Sequence, residues 1–207
     1  MMSTSRGFTP ATPVTARRGW RVVDIIVASV VGVACGVVFW AWSQGYAAVA
    51  VVTAAFPPLG GLYGGGWLIA GVVGGLIIRK PGAALYCEVI AASVEGVLGT
   101  YFGLTVLLSG LIQGAGAELV FALARYRRFG LGVALFAGAL SGLAMGISEN
   151  LLYNVEWAVG WQVLYAVLAV ASGMVVAGLL GWLAVRALAG TGVLTGLASG
   201  RAARERV

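Results

Sequence analysis

Glu88, Glu95, Glu118 and Glu149 are carboxylates set in or at the end of long apolar runs, and no Lys or Arg stands at a comparable place in those runs. A carboxylate away from water must be protonated, hydrogen-bonded or matched by a cation that arrives from elsewhere. Gln113 adds an amide to the same set. Glu88 and Glu95 are seven residues apart and share a helical face; Glu149 and Tyr153, four apart, share another if the helix continues. Asn154 follows in the polar and aromatic stretch "ISENLLYNVEW". Trp40 and Trp42 close one apolar run, and Tyr63 and Trp67 open the next. Taken singly, each aromatic suits an interfacial belt, and the stretch around Tyr153 reads equally as a solvated loop. Together, aromatic faces and carboxylates at one level describe a pocket for an aromatic cation, held by stacking, cation–π contact and charge.

Other chemistries are excluded by what is missing. There is no histidine, so imidazole metal sites and histidine general bases are ruled out. There is no GxxxxGK[ST] loop, and the single lysine sits in "RKPG", so ATP is not bound by a P-loop. No nucleophile stands beside a base. The sequence predicts neither an enzyme nor a resident cofactor. Cys35 and Cys87 fall in different runs and read as small buried hydrophobes.

The elements that must position these groups follow from composition. The chain is 60% hydrophobic and 10% charged, with mean hydropathy +0.98, against about 25% charged residues in a soluble domain. Its solvent is lipid. Apolar stretches at 22–43, 60–78, 82–100, 103–124, 130–148 and 161–186 are each near the ~20 residues that cross a bilayer as a helix. Lipid forces the backbone to satisfy its own hydrogen bonds, and nothing alternates as barrel strands do. The expected fold is all-α, a polytopic bundle of six transmembrane helices over 17–190. Residues 1–16 are expected to be disordered, and 191–207 to form a flexible basic tail. The +6 net charge is no sign of nucleic acid: the basic residues cluster before span 1 and after spans 2, 4 and 6, while 44–59, 101–102 and 149–160 carry none. This positive-inside pattern puts both termini in the cytoplasm of a plasma-membrane protein. Residues 46–58, apolar but stopped by Pro57-Pro58, read as a re-entrant or interfacial segment and a candidate lid.

Depth then sorts the polar groups. Glu88 falls in the inner third of span 3 and Glu95 in its outer third. Gln113 falls near the middle of span 4, and Glu118 toward its inner side. Glu88 and Glu118 share a level, where they are expected to share a proton or cap the basic turns. Glu118 either joins the pocket from below or holds span 4 against span 3 through Glu88; both readings stay open. Glycines at i, i+4, such as Gly138–Gly142–Gly146, let helices approach closely in lipid. The stripe Ala28–Gly32–Gly36 reads either as such packing or as a smooth face for a separate membrane subunit.

Three stretches carry a resemblance: "WRVVDIIVASVVGVACGVVFWAW", "GGLYGGGWLIAGVVGGLIIRKPGAALYCEVIAASVEGVLG" and "LSGLIQGAGAELVFALARYRR". They resemble the YkoE family of substrate-binding S components of energy-coupling factor (ECF) transporters, well over about residues 18–150 and only in character beyond. The resemblance implies a six-helix vitamin-binding subunit with its site near the outer face. It implies thiamine, or its hydroxymethylpyrimidine precursor, as ligand. It also implies a transmembrane T component and two cytoplasmic ATPase subunits as partners, with Ala28, Gly32 and Gly36 where S components dock on the T component. Cobalt uptake, a label often given to the family, and a ligand-free membrane scaffold are the alternatives.

Overall fold

The computed structural model describes residues 19–200, so the expected disordered segment 1–16 and the end of the tail, 201–207, lie outside the described residues. Among the described residues the chain is all-helical, without strands. Helix α1 spans Val22–Val52. Two 3-10 segments, Pro57–Leu62 and Gly64–Leu68, lead into α2, Ile69–Ile78. Then come α3 (Ala83–Leu98), α4 (Thr105–Leu123) and α5 (Leu131–Leu152). The last rod combines α6 (Val159–Ser172), a π-helical stretch (Gly173–Leu180) and α7 (Gly181–Gly190). Five of these segments are long and apolar enough to cross a membrane: Val22–Val52, Pro57–Ile78, Thr105–Leu123, Leu131–Leu152 and Val159–Gly190. Helix α3, at 16 residues, is shorter than the ~20 of a typical span.

Helix α2 is the centre of the bundle. All its residues but Ile69 are buried, and α1, α3, α4, α5 and the π-helical stretch pack around it. A helix covered on every side needs small residues where its neighbours come closest. Gly71 is one such place: a Cβ there would stand 3.0 Å from the Glu88 carboxylate and 3.3 Å from the Ala84 carbonyl oxygen.

The stripe Ala28–Gly32–Gly36 is also spent inside the chain. All three residues are buried. A Cβ on Gly32 would lie 2.7 Å from Ile90 Cγ2, and one on Gly36 would lie 2.6 Å from Val94 Cβ. The stripe is the seat of α3, so the expectation that it docks a separate subunit is corrected: its small residues are matched to a helix of the same chain. The outward side of α1 is instead a run of large aliphatics, among them Ile26, Val30 and Val33.

Two further expectations change. Residues 46–58 do not form a separate segment, because α1 continues to Val52 and only then turns into the 3-10 stretch. No proline stands within Val22–Val52, and Gly45 does not interrupt the helix. The tail is not loose over 191–200: Leu194 and Leu197 are buried in the main core, and Gly196 accepts a hydrogen bond from Arg21 through its carbonyl (3.2 Å).

The basic clusters meet at one end. Asp24 binds Arg21 (2.8 Å) and Lys80 (2.5 Å). Lys80 also donates to the Gly19 carbonyl (2.5 Å), and Trp20 donates to that of Pro81 (2.9 Å). Arg79 lies over the Phe129 ring, 5.0 Å from its centroid. Asp24 thus ties the start of α1 to the α2–α3 turn while supplying negative charge to the first turn of its own helix.

Candidate ligand-binding site

At the opposite end, α1, α3, α4, α5 and the turn before α2 surround a cavity in two parts. The outer part, about 440 Å³, is a vestibule between Tyr46, Tyr101, Thr105, Asn154, Trp157 and Tyr165. The inner part is a small chamber of about 40 Å³ reached by Phe39, Glu88, Glu95, Ser109 and Gln113. Trp67, Phe102, Glu149 and Tyr153 line both, so the two parts are adjacent. The vestibule alone falls within the ~300–1,000 Å³ of small-molecule sites.

Helical periodicity supplies the chamber's walls. Glu88, Ala92 and Glu95 descend one face of α3; Val106, Gly110 and Gln113 descend one face of α4. Gly110 lets the faces close up, since a Cβ there would come within 2.6 Å of the Ala92 Cβ.

Each carboxylate is held differently. Glu95, 2% exposed, accepts a short hydrogen bond from Ser43 of α1 and another from Thr100 (3.0 Å), both through Oε1. Ser43 in turn accepts from the Trp67 indole (3.2 Å), so one carboxylate organises a hydroxyl pair and the nearest aromatic wall. Glu149 accepts a short hydrogen bond from the Tyr165 hydroxyl. Glu88, 1% exposed, accepts the Gly71 amide through Oε2 (2.5 Å), in the first turn of α2 where amides are short of intrahelical partners.

Glu118 is not in the cavity. Its carboxylate accepts the amides of Gly82 (2.6 Å) and Ala84 (2.9 Å), with Leu85 at 3.4 Å and the Tyr126 hydroxyl at 2.7 Å. It caps α3 from a neighbouring helix. Burial first, then the facing Glu118 carboxylate, push the Tyr126 phenol up to about 12, which keeps it a donor at neutral pH. Of the two readings for this level, a shared proton is corrected, since Glu88 and Glu118 do not bond to one another and Glu88 serves α2; Glu118 instead bonds both basic turns, at Gly82 and Tyr126. Trp40 and Tyr63 also stay out of the lining. Trp40 is 36% exposed on the outer surface of α1. Tyr63 stacks on Trp42 at 4.4 Å and donates to its carbonyl (2.7 Å), bracing α1 against the 3-10 stretch.

The remaining predicted residues come together: Glu88, Glu95, Gln113, Trp67, Glu149 and Tyr153 on the chamber, with Asn154 on the vestibule. Tyr153 donates to Thr105 (2.8 Å), closing α5 against α4 at the mouth. Sequence reasoning missed Ser43, Tyr46, Thr100, Phe102 and Tyr165. Tyr46 and Phe102 form the aromatic wall with Trp67, at ring-centroid distances of 4.8 Å and 5.6 Å from Phe102. Their signal was faint, a lone ring beside a glycine in "SQGY" and a short loop in "GTYFG".

The site is thus three carboxylates, two amides and a ring of aromatics, with no basic side chain in the lining. Such a site stabilises a cationic or donor-rich aromatic molecule and repels an anion. Among the described residues no three His, Cys, Asp or Glu side chains converge as a metal site.

A family model described as the permease component of an ABC-type cobalt transport system matches residues 23–144. YkoE of Bacillus subtilis (strain 168), described as a proposed HMP/thiamine permease protein, is 34% identical over 192 residues, which cover 91% of this chain and 94% of that one. A solved structure, the crystal structure of an S-component of an ECF transporter, is similar with a TM-score of 0.84 at 35% identity, covering 91% of this chain and 95% of that one.

Proposed function

This chain belongs to the family of YkoE and of ECF-transporter S components, and on that premise we propose that its cavity captures thiamine or its hydroxymethylpyrimidine precursor at the outer face for ATP-driven uptake. The chain is the substrate-binding subunit of such a transporter. The observation that carries the ligand reading is the chamber itself, in which Glu88, Glu95 and Glu149 face an aromatic wall and no basic side chain. A thiazolium ring brings the missing positive charge, and both rings of thiamine stack on Trp67, Tyr46 or Phe102. With no P-loop in the chain, the motor belongs to partner ATPases, coupled through a transmembrane T component.

The test is a calorimetric titration of the purified protein with thiamine, hydroxymethylpyrimidine and Co²⁺. Submicromolar binding of thiamine or the pyrimidine, with no Co²⁺ response, is expected. Binding of Co²⁺ alone would favour the metal named in the family description, and binding of none of the three would leave a scaffold.

The same reading has α3 cross the membrane with the five longer segments, giving six spans with both termini cytoplasmic. The gathering of Arg21, Arg79, Lys80 and the 125–128 turn at the end away from the cavity supports it. Cysteines introduced at Gln44 and Asn154 are expected to react with an impermeant maleimide in intact cells, and one at Arg127 is expected not to. Labelling at Arg127 with protection at Gln44 would invert the topology.

A further inference from the structure

A groove of about 480 Å³ runs along the side of the bundle, away from the cavity. It is lined by Leu123 and Ala124 of α4 and by Val133, Phe136, Ala139 and Leu143 of α5, and no polar or charged residue enters its lining. Ala124 and Ala139 leave room between the exposed side chains of Leu123, Phe136 and Leu143. From Val133 to Leu143 helix α5 rises about 15 Å, half of the ~30 Å hydrocarbon core of a bilayer. The groove thus matches one leaflet in length, and it begins at the α4–α5 turn.

That turn is tightly held. Arg125 and Tyr126 both take the left-handed conformation, at φ 55° and 53°, which is unfavourable for residues with a side chain and persists only where the surroundings impose it. The Arg125 amide donates to the Ala122 carbonyl (2.7 Å), the Tyr126 amide to that of Phe121 (2.9 Å), and the Tyr126 hydroxyl to Glu118 (2.7 Å). Tyr126 is spent on the bundle, while Arg125, Arg127 and Arg128 are exposed. Among the described residues neither carboxylate at this end pairs with them: Asp24 binds Arg21 and Lys80, and Glu118 binds amides and Tyr126.

We infer that groove and turn form one site for an anionic glycerophospholipid of the adjoining leaflet, with an acyl chain along α5 and the phosphate on the exposed arginines. Charge and shape select this occupant together. An apolar groove takes any lipid tail, and a basic turn attracts any anion; only an anionic lipid uses both. Phosphatidylcholine fills the groove equally well, but its headgroup carries a cation of its own toward the arginines. Guanidinium groups also suit phosphate, which they can bind through paired N–H donors. The site does not depend on what the cavity binds.

The experiment titrates the delipidated full-length chain in detergent with phosphatidylglycerol and with phosphatidylcholine of the same acyl chains, and reads the first bound lipid by native mass spectrometry. The wild type is expected to bind phosphatidylglycerol about 10- to 30-fold more tightly. Arg127→Gln/Arg128→Gln is expected to lose most of that preference, and Ala139→Phe, which puts a ring into the groove, to weaken both lipids. Should Ala139→Phe fail to fold, the charge variant still decides, because it alters only exposed side chains. Equal affinity of the wild type for the two lipids overturns the inference, as does an unchanged preference in the charge variant. Glycerol phosphate competing as well as phosphatidylglycerol would make the turn a site for a soluble anion, and overturns it. Unchanged phosphatidylglycerol affinity in Ala139→Phe overturns it too. A dimer dispersed by that variant would then assign the groove to a second copy, and lost assembly with the T component would assign it to that subunit.

Discussion

Gly32→Leu is expected to lower stability, ligand binding and transport together. Helix α1 meets α3 along Ala28, Gly32 and Gly36, and the contact is already at backbone distance. A Cβ on Gly32 would stand 2.7 Å from Ile90 Cγ2, 2.8 Å from its Cβ and 3.1 Å from the Cys87 carbonyl oxygen. Ile90 is β-branched and on a helix, so it has few rotamers into which to retreat. The carbonyl is part of the α3 backbone and cannot move without the helix. Overpacking of this kind costs about 1–3 kcal/mol even where side chains can yield. Moving α3 also moves Glu88 and Glu95, two of the three carboxylates in the cavity. Thermal unfolding in detergent and thiamine titration on the same preparation check this: the midpoint falls and affinity falls with it. Normal stability and affinity with lost transport would instead mean that α1 and α3 part to admit a partner at this stripe.

The stripe illustrates what was legible in the sequence. Small residues at i, i+4 announce that something approaches closely, but not whether it belongs to the same chain. The same limit governs the carboxylates. Apolar context made Glu88, Glu95, Glu118 and Glu149 conspicuous, and helical spacing put Glu88 and Glu95 on one face, where they stand. Periodicity could not tell a carboxylate that faces a cavity from one that caps a helix. Glu118 is the clear case: its partners are the amides of Gly82 and Ala84, more than thirty residues away in sequence, and backbone amides carry no residue signature. Ser43 and Thr100 were passed over for the converse reason. Small hydroxyls at the ends of apolar stretches are common, and their value here comes only from converging on Glu95 across 52 and 5 residues. The run of α1 to Val52 was also hidden, because the polar "SQG" looks like an exit from the membrane, although nothing in it breaks a helix.

Convergence on Glu95 determines what its charge does. Glu95→Gln is expected to weaken thiamine binding by about 10- to 150-fold, corresponding to the ~1.5–3 kcal/mol of a charge-assisted interaction. The amide keeps an oxygen where Oε1 accepts from Ser43 and Thr100, so the hydroxyl pair, and Trp67 behind it, have reason to stay in place. What is lost is the negative charge beside a ring that carries a positive one. The neutral hydroxymethylpyrimidine should lose much less, and the ratio of the two losses isolates electrostatics from shape. Titration of both compounds on the wild type and on Glu95→Gln supplies that ratio. Equal losses would mean that Glu95 reads the pyrimidine by hydrogen bonding and that Glu149, at the junction of chamber and vestibule, meets the cation. Glu149→Gln should then show the charge-selective loss. If both variants keep thiamine affinity at the wild-type level, aromatic contact alone retains the ligand. The carboxylates of this cavity would then serve the bundle, as Glu118 does on the α3 cap, and not the ligand.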